Sequence, residues 1–440
     1  MTHGTLWNKI LLFALPLAAS SILQQLFNSV DTAVVGRFAS SRALAAVGST
    51  SSFISLMINL FIGISLGSNV VIAHYIGQKV EKNIQAAIHT AITVALIGGC
   101  FVMILGQFIG RPVLILMGTP EDVIDLAVQY LRIYFLGMPF ILLYDFGSSI
   151  LRSTGDSRRP LYSLIVAGIL NTVLNLILVI VFQMGVAGVA IATVVSNIVS
   201  SGIVMWILMH EPEPVRFTPR KLMINGKELW KILSIGVPAG LQGMVFSLAN
   251  VCIQSTINSF GSDAVAGSAA ALNYEFFAYF IVNAFAQTTV TFTSQNYGAG
   301  EYDRCRKIFR INMAFSMVFC GLLSAVFVLG RSFFLGLYTT DASVLEYATT
   351  RLMIATTLEL LTSAYEISGG AMRGLGHSLQ PALITVFGSC VLRLIWISTA
   401  CVAVHEFWVL IIIYPISWVV TGIIMIISYL RLRKKMLIKN

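Results

Sequence analysis

Leu151-Arg152-Ser153-Thr154-Gly155-Asp156-Ser157, closed by Pro160, returns later in the chain as Met372-Arg373-Gly374-Leu375-Gly376-His377-Ser378, closed by Pro381. Arg152, Gly155, Ser157 and Pro160 each recur about 221 positions further on. Nearly the same offset pairs Pro16 with Pro238, Asn28 with Asn250, Phe38 with Phe260, Gly77 with Gly298, Thr119 with Thr340 and Tyr144 with Tyr365. The chain is thus built from two equivalent lobes. In a membrane protein, paired lobes suggest a carrier that moves its substrate between them by alternating access.

Composition supplies the membrane. The 440 residues are 57% hydrophobic and 11% charged, with a mean hydropathy of +0.85, whereas a soluble domain carries roughly 25% charged residues. Apolar runs long enough to cross hydrocarbon centre near residues 22, 58, 97, 134, 171, 198, 244, 279, 316, 354, 392 and 418. Backbone amides in lipid must be satisfied within the segment, so continuous runs of this length predict helices, and a β-barrel would show short alternating strands. The expected fold is all-α and integral to the membrane. Twelve transmembrane helices fall into two six-helix lobes, residues 1–209 and 228–440, joined by a linker at 210–227 in which Pro212, Pro214 and Pro219 favour extended chain. An even number of helices per lobe gives both the same orientation, related by a pseudo-two-fold axis along the membrane normal.

The net charge of +9 is placed asymmetrically. Twenty-one of the 28 Lys and Arg fall at the N-terminus, in the even-numbered connections and at the C-terminus, against Arg37, Arg42, Arg111 and Arg331 in the odd ones. That bias predicts a multi-pass chain with both termini in the cytoplasm. No basic cluster is interleaved with aromatics, so nucleic acid is not an expected partner. Cys100, Cys252, Cys305, Cys320, Cys390 and Cys401 are scattered, with neither metal-ligand spacing nor a disulfide framework. The first apolar run lacks a cleavage pattern and reads as a retained helix. Phosphate-binding, zinc-protease and serine-hydrolase signatures are absent. The chain therefore reads as a non-enzyme without a cofactor, driven by an ion gradient.

An ionisable group at mid-membrane costs about 2.5–3.5 kcal/mol on insertion scales and requires a reason. Asp31, Asp145, Glu275, Glu359 and Glu366 lie well inside predicted helices. Gln24, Asn28 and Asp31 are spaced by four and three and share one helical face, which must meet a cavity or another helix. The competing reading pairs Asp31 with Arg37. Tyr144-Asp145 has the repeat partner Tyr365-Glu366, which suggests paired gates, or ion pairs with Arg152 and Arg373. Glu275 stands in Asn273-Tyr274-Glu275-Phe276-Phe277, a setting suited to an organic cation or equally to aromatic packing around one paired carboxylate. Glu359 has no acidic repeat partner. Ser247, Asn250, Gln254 and Asn258 form a neutral polar stripe on the seventh helix. The glycine and proline of the repeated element read as a tight cytoplasmic turn.

The twelve-helix layout, Pro16 and Asp31 on the first helix, the Leu-Arg-Ser-Thr-Gly-Asp-Ser turn, and Met184-Gly185-Val186-Ala187-Gly188 with Ala190-Ile191-Ala192-Thr193 resemble the multidrug and toxic compound extrusion (MATE) family, closer to its DinF-like branch. The likeness spans the whole chain. It implies a cation-coupled antiporter, most simply proton-driven, that exports amphipathic organic cations from the cytoplasm. The expected setting is a bacterial plasma membrane, with lipid around a monomer. It also implies a coupling site of Asp31, Tyr130, Asn171, Thr193 and a second acid. Here that second position is Asn175, which cannot titrate, and Asp145 is the candidate replacement. Expected substrate contacts are Gln24, Asn28, Asn250, Gln254, Glu275, Glu359 and Glu366. The alternatives are sodium coupling and a lipid-linked precursor flippase. A phosphate cavity would draw on Arg132, Arg351 and Arg393, which the five acids outnumber.

Overall fold

The computed structural model describes residues 1–438, with side chains to 435; Lys439 of the basic C-terminus lies outside them. Among the described residues every regular element is helical. Ten helices are long and apolar enough to span: α1 (Leu6–Phe38), α2 (Ser41–Gln78), α3 (Glu81–Leu116), then α5 (Arg158–Val181), α6 (Gly185–Met209), α7 (Gly226–Asn258), α8 (Ser262–Gly298), α9 (Tyr302–Leu329), α11 (Leu379–Ala403) and α12 (Phe407–Lys435). An eleventh, α4, is Glu121–Leu136 continued by Met138–Thr154 with a bend of 48°. Pro139 in the first turn after Gly137 accounts for the break, because its ring cannot continue the preceding helix. The twelfth expected span, α10, is a broken run: Ala342–Arg351, a π turn over Leu352–Thr356, a 3-10 turn over Glu359–Leu361, then Thr362–Gly374. Those irregular turns break the span into short helical pieces.

Two compact units emerge, Met1–Ala18 with Leu241–Asn440, and Ala19–Gly240. The packing boundary therefore cuts α1 and α7 part-way and is not drawn at the linker. It falls two residues after Pro16 in α1 and two after Pro238 in α7, the prolines that pair in the sequence repeat. In the first unit, Leu6, Ile10, Phe13, Ala14 and Leu17 enter a core with Phe285, Phe292, Ile308 and Ile367. Phe13 meets Phe292 edge-on at 5.4 Å. In the second unit, the start of α7 crosses α2 through Gly236 and Gly240 set against Gly63 and Gly67. These two small-x-x-x-small pairs let backbones touch: a Cβ on Gly236 would stand 2.5 Å from Ile64 Cα, and one on Gly240 2.5 Å from the Leu60 carbonyl oxygen.

The repeated element is the tight turn its chemistry predicts. Gly155 and Gly376 adopt φ of +103° and +86°, and each caps the preceding helix, Gly155 N–H donating to Arg152 O at 2.9 Å and Gly376 N–H to Arg373 O at 2.8 Å. Asp156 Oδ1 accepts from the amides of Arg158 and Arg159 and so starts α5. The linker is mostly non-helical, with one 3-10 turn at Pro219–Lys221. It is tied to α3: Thr218 N–H donates to His89 Nε2 at 3.2 Å and Asn225 N–H to Thr90 Oγ1 at 3.0 Å. His89 is a buried clasp for that segment, since its Nδ1 also bonds Gln85 O at 2.8 Å.

Candidate functional site

Two cavities hold the intramembrane polar residues, one in each unit. In Ala19–Gly240, a cavity of about 280 Å³ is lined by Gln24, Asn28 and Asp31 of α1, Asp145 of α4, Asn171 of α5 and Thr193 of α6. The face predicted from the 24, 28, 31 spacing is thus real. Asp31 is held by Asn175, whose Nδ2 donates to Asp31 Oδ1 and also to Asn171 Oδ1 at 3.1 Å. Arg37 is not its partner, and among the described residues Asp31 forms no ion pair. Both asparagines are buried, and Asn175 Oδ1 has no hydrogen-bond partner among the described residues. Two residues after Asn175 the helix widens into a π turn, Ile177–Val181. Turns of that kind interrupt the backbone ladder and concentrate at functional sites.

Asp145 is half-buried and faces the same cavity, with no side-chain hydrogen bond or ion pair of its own among the described residues. The expected ion pairs of Asp145 with Arg152 and of Glu366 with Arg373 do not form among the described residues. Tyr130 is buried behind the wall, its ring 5.9 Å from that of Tyr134, which does line the cavity. Thr193 Oγ1 donates to Val189 O at 3.0 Å, so its hydroxyl is engaged with its own helix. Sequence reasoning missed Ser196, Asn197 and Ser200, which extend the polar wall from Thr193. Their spacing of three, four and seven from Thr193 was a readable helical stripe.

In the other unit, a cavity of about 190 Å³ gathers Asn250 and Gln254 of α7, Glu275 of α8 and Glu359 of α10. Glu366 joins it through Tyr279, whose hydroxyl donates to Glu366 Oε1 at 3.1 Å. Glu275 is locked into a fork with Arg351: Nε to Oε1 at 2.6 Å and Nη2 to Oε2 at 2.9 Å. Arg351 Nη1 also donates to Ser268 Oγ at 2.6 Å. The paired-carboxylate reading of Glu275 is the arrangement seen. Arg351 and Arg393 are among the largest fully buried side chains of the protein. Sequence reasoning counted them as helix-level cations but placed neither at a site.

No group of three metal-capable side chains occurs among the described residues, and the six cysteines are free.

The sequence profile of the MatE family matches residues 16–177 and 238–397, both halves of the chain and most of its length. The chain belongs to the MatE family. Its two matched segments begin at Pro16 and Pro238, so the family's own duplication coincides with the internal repeat. Probable multidrug resistance protein YoeA of Bacillus subtilis (strain 168) is 32% identical over 390 residues, covering 87% of this chain and 84% of that one. An FAD transporter of Shewanella oneidensis is 27% identical over 330 residues, covering 73% and 72%. The outward-facing conformation of a multidrug resistance MATE family transporter of the MOP superfamily superposes with a TM-score of 0.90 at 23% identity, over 98% of this chain and 96% of that one. This last likeness is one of fold. As a MatE protein the chain is a multi-pass membrane transporter of small molecules and not an enzyme.

Proposed function

We propose that this MatE protein exports amphipathic organic cations from the cytoplasm by cation-coupled antiport, with the proton as the coupling ion. The reading places it in the bacterial plasma membrane with both termini inside, in line with its charge bias and its Bacillus relative. The relative's name, a multidrug resistance protein, supports drug export. The observation that carries the coupling is Asp31: a carboxylate at a cavity wall, held by a neutral amide and paired with no cation. Such a group can take a proton when water leaves and give it up when water or a cationic ligand arrives. Antiport follows when proton and drug favour different lobe arrangements and so exclude each other. Asn175 supplies a bond and no charge, so Asp145, which faces the same cavity, is the second acid in this scheme.

The test is reconstitution in sodium-free liposomes with an imposed pH gradient, following proton movement on adding ethidium, for the native chain and Asp31→Asn. Drug-dependent proton flux that vanishes in the variant is the expected result. Flux only after sodium is added reassigns the coupling ion. Flux under neither gradient removes the antiport reading.

A further inference from the structure

The cavity between α7, α8, α10, α11 and α12 contains a charge pattern that the export of simple cations leaves unused. Four ionisable side chains line it: Glu275, Arg351, Glu359 and Arg393. Glu275 and Arg351 satisfy each other in the fork and present no free charge. Arg393 is different. It is 1% exposed, its Nε donates to Ser417 Oγ at 3.0 Å, and its guanidinium lies over the rings of Tyr414 at 4.6 Å and Phe246 at 5.4 Å. Those contacts fix the plane of the fork and leave Nη2 buried without a hydrogen-bond partner among the described residues. A buried guanidinium edge with no acceptor is costly, and a ligand carboxylate would satisfy it. Glu359, 5% exposed on the same cavity, likewise makes no side-chain hydrogen bond and no ion pair among the described residues. Arg393 and Glu359 do not pair with each other. Among the described residues the cavity therefore offers one guanidinium and one carboxyl group without an ion-pair partner, at separate points, between aromatic walls that include Phe276 and Trp418.

From this we infer that the cavity is a binding site for small aromatic zwitterions, with the ligand carboxylate on Arg393, its ammonium on Glu359 and its ring against Phe246, Tyr414 and Trp418. Backbone irregularity supports the placement: a π turn at Val386–Val391 precedes Arg393 by two residues, and Glu359 opens the 3-10 turn of α10, three residues after its π turn. The inference deepens the export reading by naming a cargo class, but binding to this cavity needs neither a gradient nor Asp31.

The experiment is calorimetric titration of the purified full-length protein, without any ion gradient, by three matched probes. These are 4-(aminomethyl)benzoate, its methyl ester, which keeps only the amine, and 4-methylbenzoate, which keeps only the acid. The zwitterion is expected to bind about tenfold more tightly than either singly charged probe, the worth of one charge-assisted bond. Arg393→Gln should bring the zwitterion down to the affinity of the ester while leaving the ester unchanged. Glu359→Gln should bring it down to that of 4-methylbenzoate. Tightest binding by the ester, equal affinities, or no binding by any probe overturns the inference. Should Arg393→Gln fail to fold, the rank order on the native chain and the Glu359→Gln result decide it alone. Proton-coupled export could fail in liposomes while this ranking holds, and the reverse, so the two readings fall separately.

Discussion

Replacing Glu275 by Gln tests whether that acid is a structural partner or a free counter-charge for cargo. The two side chains of the Glu275–Arg351 pair are 8% and 2% exposed, and the fork contributes two short charge-assisted bonds. Gln keeps the shape but turns one acceptor into an N–H facing the guanidinium, so one bond is lost and a buried cation is left uncompensated. Arg351 then retains Ser268 and the face of Tyr414, neither of which carries charge. Removing one partner of a buried pair costs about 3–5 kcal/mol. For a unit of this size that corresponds to a fall in Tm on the order of ten degrees. The double exchange Glu275→Gln with Arg351→Met removes the orphan charge and should recover most of the loss, because a well-packed apolar substitute often equals a buried ion pair. The assay is thermal unfolding of the purified protein in detergent, for the native chain, each single variant and the double. A loss below about 1 kcal/mol in Glu275→Gln, the level of an exposed pair, would refute the reasoning.

Three further outcomes follow from the geometry. Gly236→Leu should force α7 off α2 and cost about 1–3 kcal/mol by overpacking, whereas Gly48→Ala, with nothing within 4 Å of its Cβ, should be neutral or mildly stabilising; equal Tm values for the two would contradict the close crossing. Exchanging Asp145→Asn with Asn175→Asp keeps the cavity's charge and moves it beside Asp31, so drug-dependent proton flux should survive in the double variant and be abolished by Asp145→Asn alone; loss in both counts against Asp145 as the second acid. His377, in the turn between α10 and α11 outside the spans, has its pKa lowered by burial, so the folded state resists its protonation. Its contribution is full above the ordinary histidine value and is lost as pH falls below it. The native Tm should therefore drop on acidification through that range, with a smaller drop in His377→Gln.

The repeat, the helical class and the polar face of α1 were legible because each is periodic and local. The pairing of Asp31 with Asn175 was not, since the sequence shows an amide only as a missing acid and gives no sign that it donates across helices. Asn171 and Thr193, named from the family resemblance, line the same cavity as Asp31, and Tyr130 packs close behind its wall. Arg351 and Arg393 were visible as isolated cations on α10 and α11, yet their meeting around Tyr414 of α12 depends on three helices distant in sequence. The broken form of α10 was hidden as well, because its composition is apolar enough for a continuous span and the π turn is a matter of packing.

The exchange of helix starts at Pro16 and Pro238 bears on the order in which the chain can be made. The side chains that cover Leu6, Ile10 and Phe13 belong to α8, α9 and α10 and are translated long after them. Unit Ala19–Gly240 is also incomplete until the glycines at the start of α7 arrive, beyond the linker. A chain stopped at the linker would contain one whole copy of the sequence repeat and still lack a helix that its own core requires. Gene duplication supplied two six-helix segments, but neither coincides with a compact unit, because the start of each copy packs with helices of the other.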